Sequence, residues 1–166
     1  NPHQAAALYC RSAHHGGLAS ATQLQGKELS YNNLSDADAA LAIVASIETP
    51  AVALVKHANP CGVGTATTIE EAFRTALASD PVSAFGGILA LNRPVEPALV
   101  EAIGSLFLEV IVAPQISPAA RTMLAAKKNL RVLEVAKETH ASPLADWSVH
   151  AISGGYLVQT RDRTTT

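Results

Sequence analysis

The chain has 166 residues, 48% of them hydrophobic and 16% charged, with a formal net charge of −2. That balance fits one globular domain, or part of one, with enough apolar mass for a real core, and excludes a disordered tail. No basic run with interleaved aromatics supplies the positive surface that nucleic acid needs, and no apolar stretch reaches the roughly 20 residues that cross a bilayer.

Residues 1–34, with the adjacent His14 and His15 and a glycine pair, read as an irregular wrapping segment. The first helix is expected from about Ser35, a good N-cap, through "DADAALAIVASIE", with Ala40, Ile43, Val44 and Ile47 at helical spacing. "AVALV" (51 to 55) follows as a short apolar strand. Thr68 and Glu71 then match a capping box, and Ile69, Ala72, Phe73, Ala76 and Leu77 follow the i, i+3, i+4, i+7, i+8 pattern of a second helix.

"GGILAL" (86 to 91) reads as the next strand, followed by a helix at about 97 to 107 with Val100, Ile103 and Phe107 in one stripe. "EVIVA" (109 to 113) is again strand-like. A fourth helix starts at Ser117 with Pro118 in its first turn and ends in Lys127 and Lys128, where cations suit the helix dipole. "LRVLEV" (130 to 135) is a further strand, 136 to 147 a connecting loop, and "AISGGYLVQTRDR" supplies a last strand beginning at a glycine pair. Helices alternating with apolar strands predict an α/β fold with three α/β/α layers around a largely parallel sheet.

Two cysteines, Cys10 and Cys61, make neither a disulfide framework nor a C-x-x-C pair. A reducing cytoplasm is the expected home, and the first residues carry no visible signal peptide. The chain begins at Asn1 and stops in "RTTT", and reads as an excerpt of a longer polypeptide.

"VKHANPCGVG" (55 to 64) holds the densest chemistry. In open α/β sheets ligands bind beyond the carboxyl ends of strands, and Lys56 and His57 fall just past Val55. Successive strand residues point to opposite faces, so both serve one pocket only if the chain turns at once. Spacing alone leaves two readings open, a catalytic turn or a solvated lysine beside a loop histidine. "GVG" before Thr68 could present amides to an anion or be plain turn chemistry. "SDPVSAFGG" (79 to 87) could likewise be a ligand approach or a structural turn. Zinc is not expected: the deaminase pattern needs H-x-E and P-C-x-x-C, and neither the glutamate nor the second cysteine is in place. His14 and His15 are adjacent and diverge on any regular element. Cys61 reads as a small packing residue.

Seven blocks in order, "NPHQAAALY", "LQGKELSYNNLSDADAA", "VKHANPCGVG", "SDPVSAFGGILALNR", "EVIVAP", "KKNLRVLE" and "SGGYLVQTRDR", resemble the bacterial bifunctional purine-biosynthesis proteins. The likeness covers essentially all of residues 1–166 and is narrowest to the first half of their aminoimidazole-carboxamide ribotide transformylase domain. It implies a cytidine-deaminase-like fold occurring twice in that domain, a homodimer with sites at the interface, and no metal. The implied reaction is formyl transfer from 10-formyltetrahydrofolate to the 5-amino group of the ribotide, the penultimate step of inosine monophosphate synthesis.

By that resemblance His57 is the proton acceptor and Lys56 the transition-state stabiliser, while Gly86 and Glu109 contact the ribotide. The chemistry is coherent: the acceptor amine, conjugated with a carboxamide, needs a base, and attack on the formyl carbon builds negative charge on oxygen. The family's upstream Arg-Tyr pair, second deaminase-like half and cyclohydrolase domain fall outside this stretch. The chain alone is therefore expected to have little transformylase activity. A half-domain serving as a binding or assembly module, through apolar residues such as Ile152, Tyr156 and Val158, is the competing expectation. A metal-free deaminase relative acting on a base is a third.

Overall fold

The computed structural model describes residues 4–10, 17–136 and 147–160. A single 3-10 turn, Leu18–Ser20, leads into β1 (Thr22–Gln25), α1 (Tyr31–Ala45), β2 (Ala51–Lys56), β3 (Asn59–Thr65) and α2 (Ile69–Ser79). Then come β4 (Gly87–Leu91), α3 (Pro97–Ile103), β5 (Leu108–Ala113), α4 (Pro118–Leu124), β6 (Arg131–Glu134), β7 (Trp147–Ile152) and β8 (Gly155–Thr160). The first six strands form one sheet in the order β1-β6-β5-β4-β2-β3. Strands β3 to β6 run one way, and β1 and β2 run against them.

Both faces of this sheet are covered, which is why β2, β4 and β5 are apolar runs without alternation. On one face Ala37, Ala40 and Val44 of α1 meet Ala51, Ala53 and Val55 of β2, with Ile88, Ala90, Val110 and Val112 beside them. On the other, Phe73 of α2, Leu99 of α3 and Leu124 of α4 join Val52, Leu54, Leu89 and Ile111 in the second half of the core. The expected three-layer α/β/α architecture is present.

Several boundaries differ from the sequence expectation. Helix α1 starts five residues earlier, because Ser30 caps it: its hydroxyl accepts from the Asn33 amide while the Asn33 side chain accepts from the Ser30 amide. The segment before it is not wholly irregular, since the polar "TQLQ" forms the edge strand β1. Gln25 there donates to the carbonyls of Leu124 and Leu130, closing the end of α4. Helix α3 stops at Ile103, before Gly104 at φ 53, so Phe107 lies outside its stripe and is 42% exposed. Helix α4 ends before Lys127, whose ammonium instead reaches the Gly104 carbonyl at 2.6 Å.

The largest difference is β3. The spacing predicts that "NPCG" bends the chain away, yet Asn59–Thr65 pairs along the length of β2 as an edge strand. Pro60 is tolerated there because an edge needs fewer donors, and the register shift at Leu54/Val55 is a bulge on the same edge. Gly62 and Gly64 face α2, where a Cβ would collide with the carbonyls of Ala76 and Ala72. These glycines serve helix–strand contact rather than an anion loop. The last predicted strand is present as β8, beginning at the glycine pair, and the unexpected β7 pairs with it around Ser153 and Gly154 as a separate two-stranded sheet. Most of the expected 136 to 147 loop, and both His14 and His15, lie outside the described residues.

Candidate active site

Because β2 runs against its neighbours, its carboxyl end lies at the amino ends of β4, β5 and β6. Three of the four predicted site residues, Lys56, Gly86 and Glu109, are thereby drawn to one edge of the sheet, and His57 follows Lys56 directly. The carboxyl ends of the parallel strands, where ligands usually bind in such sheets, lie at the other edge. There polar groups are engaged in structure: Asn92 donates to the carbonyls of Ile47 and Thr49 and accepts from the Ala51 amide, and Glu134 accepts from the Ile116 amide.

At the β2 edge the chain reverses through His57 and Ala58, with φ of 54° and 57°. Lys56 pairs with Asn59 across it, so the loop is two residues long, the backbone signature of a type I′ hairpin turn. Neither residue is glycine, and a left-handed conformation costs an L-residue about 1–2 kcal/mol. The offset comes from α1. The two oxygens of Asp36 accept from the His57 amide at 3.1 Å and the Ala58 amide at 2.7 Å, and charge-assisted bonds of this kind contribute about 1.5–3 kcal/mol each. On the far side the Asn59 amide donates to the His57 carbonyl at 2.8 Å.

The Lys56 ammonium donates to the Phe85 carbonyl at 2.8 Å, leaving two of its three donors for other acceptors. Gly86 follows, at φ 74, with its amide on the Phe107 carbonyl at 2.8 Å. A Cβ at Gly86 would meet Phe107 and the Lys56 ammonium only at ordinary contact distances, so backbone conformation, not space, calls for glycine here. Gly87 differs: its Cβ would press on the carbonyls of Val55 and Ala84 at 3.0 and 3.1 Å. Phe85 and Phe107 lie with ring centroids 5.3 Å apart, both partly exposed beside the lysine.

Glu109 is anchored from the same helix that holds the turn. Its Oε2 accepts from Asn33 at 2.8 Å and lies 3.9 Å from the Arg131 guanidinium. Asn33 and Asp36, three residues apart, share one side of α1. Sequence reasoning missed both, and Asn59's role in the turn.

Cys61 packs against the core, and burial pushes its thiol above the ordinary range, reinforced by the Asp80 carboxylate and opposed by Lys56. Asp80 itself is held below the usual carboxylate range by hydrogen bonds from Ser83 and Val82 in the turn that ends α2. Within the described residues no group of three or more His, Cys, Asp or Glu could hold a metal ion, and no helix is long and apolar enough to cross a membrane.

Fold and site together define a three-layer α/β/α protein with a Lys-His turn set against a glycine at the reversed end of its sheet. The chain belongs to the AICARFT/IMPCHase bienzyme family, which it matches over residues 1–166. It is 52% identical to the bifunctional purine biosynthesis protein PurH of Rhodospirillum rubrum across 98% of its own length and 31% of that protein's. The same protein of Parvibaculum lavamentivorans is 49% identical and that of Brucella ovis 51%, each over 98% of this chain and 30% of theirs. The chain thus spans under a third of the length of these curated relatives.

Proposed function

We propose that this chain supplies part of a formyltransferase site in purine biosynthesis, acting on aminoimidazole-carboxamide ribotide with 10-formyltetrahydrofolate as co-substrate, in the cytoplasm. The observation that carries the reading is the Lys56 ammonium, fixed on the Phe85 carbonyl next to Gly86 and one residue before the turn that bears His57. His57 takes the proton released as the amine attacks the formyl carbon. Lys56 stabilises the oxyanion formed there, using a donor that Phe85 leaves free, and collapse of that oxyanion breaks the formyl C–N10 bond, the departing tetrahydrofolate nitrogen taking up a proton. A cation held in place costs no reorganisation as the charge develops, which favours the transition state over the ground state. Gly86 and Glu109 hold the ribotide, the carboxylate of Glu109 having acceptor capacity beyond its bond to Asn33.

Calorimetric titration of the chain with the ribotide, beside His57→Ala and Lys56→Ala, tests the site. Saturable binding weakened by either substitution supports it, and binding indifferent to both overturns it. In the full-length protein His57→Ala should slow formyl transfer by about 10²- to 10⁴-fold, and unchanged turnover would remove His57 from the role. The 166-residue chain alone is expected to turn over little.

A second reading, a non-catalytic half-domain that assembles with a partner or as a homodimer, is favoured by the β7–β8 hairpin. One of its faces carries Trp147, Val149, Tyr156 and Val158, all exposed by 43% or more. Light scattering read beside the titration separates the two: self-association without ribotide binding supports the assembly reading, and a well-behaved monomer argues against it.

A further inference from the structure

We propose that Asp36 is a positioning residue for His57, an inference that rests on the proton-acceptor reading above. The turn that carries the imidazole is strained at two consecutive residues, and two adjacent amides converge on one side chain from another element. A carboxylate gives each of the two donors an oxygen of its own. An asparagine keeps one oxygen and turns an NH2 group toward the second amide, so in this geometry it holds the turn at one point instead of two. Asp36 is half-buried and sits on α1, whose next residue, Ala37, is fully buried against the sheet. The carboxylate thus refers the position of His57 to the core rather than to the end of a hairpin alone. Asn59 bonds the His57 carbonyl from within the same turn and cannot give that external reference.

The test combines kinetics and amide exchange on the full-length protein. Asp36→Asn should lower kcat for formyl transfer by about 10- to 100-fold, the cost of a misplacement on the order of 1 Å, with KM for the ribotide little changed. In a His57→Ala background the same substitution should have no further effect, since both act through one group. Adding Ala58→Gly to Asp36→Asn should restore part of the rate, because glycine adopts φ 57 freely, and an effect of Asp36 elsewhere would not be rescued this way. Hydrogen exchange at the His57 and Ala58 amides should quicken in Asp36→Asn.

Unchanged exchange at those two amides, or a rate loss that persists undiminished in the His57→Ala background, overturns the positioning role alone. Normal turnover in His57→Ala removes the proton-acceptor reading and the positioning inference with it. Should Asp36→Asn not fold, Asp36→Glu, which keeps two acceptors on a longer stem, carries the same cycle.

Discussion

A buried asparagine ties the strand end at Glu109 to the first turn of α1. Asn33 is 4% exposed, accepts from the Ser30 amide and donates to Glu109, so both ends of its amide are used. Replacing it with leucine removes both bonds, one of them to a charged group, and we expect a loss of about 1–3 kcal/mol in urea-induced unfolding. Cys61 makes a prediction of a different kind. Its thiol is pushed up chiefly by burial, so the reactive thiolate is scarce at neutral pH, and exposed Cys10 should be alkylated first. The gap should narrow as pH rises and Cys61 ionises; mass spectrometry of a timed labelling at two pH values checks it. At this scale the sequence was half legible. Lys56 and His57 stood out because they follow an apolar run, whereas Asp36 lies 21 residues before His57 and bonds backbone, an arrangement that leaves no local pattern to read.

Elements were legible where periodicity or burial dictates composition. Strands β2, β4, β5 and β6 and helix α2 appeared where the apolar runs and the Thr68 cap placed them. The start of helix α1 is hard to read because its capping box closes with Asn33 in place of the usual Glu or Gln. Strand β3 was hidden by an asparagine, a proline and two glycines, residues that strands otherwise avoid. Their reason is tertiary: α2 lies so near that only glycine fits at positions 62 and 64. Gly64→Ala should therefore destabilise the chain by about 1–3 kcal/mol or more, as overpacking does, while Gly154→Ala meets no neighbour and loses only the cost of its φ of 82. Thermal unfolding of the two variants, with the larger fall in Gly64→Ala, is the check.

The whole molecule is a sheet with two unlike edges and a hairpin apart from it. Apolar runs could predict the layers but not strand directions, so the reversal of β2, which decides where the site lies, could not be read from them. The hairpin's apolar face rests on no element of the main sheet among the described residues, its strands packing chiefly on each other. Val158→Thr should accordingly leave the unfolding midpoint nearly unmoved. Val110→Thr, at a site with no exposure, should lower it by several degrees, and calorimetry distinguishes the two.

The two-residue turn at His57 and Ala58 has a consequence for what lengths of chain this protein tolerates. Side chains in a strand alternate, so one residue inserted at the turn would shift β3 by one position and rotate each of its residues to the opposite face. Gly62 and Gly64 would then look outward and Val63 would be driven into the backbone of α2. The spacing between Lys56 and β3 is thus fixed by a helix on the far side of the strand, and a change in loop length there would be paid in the core before it was felt in the chemistry.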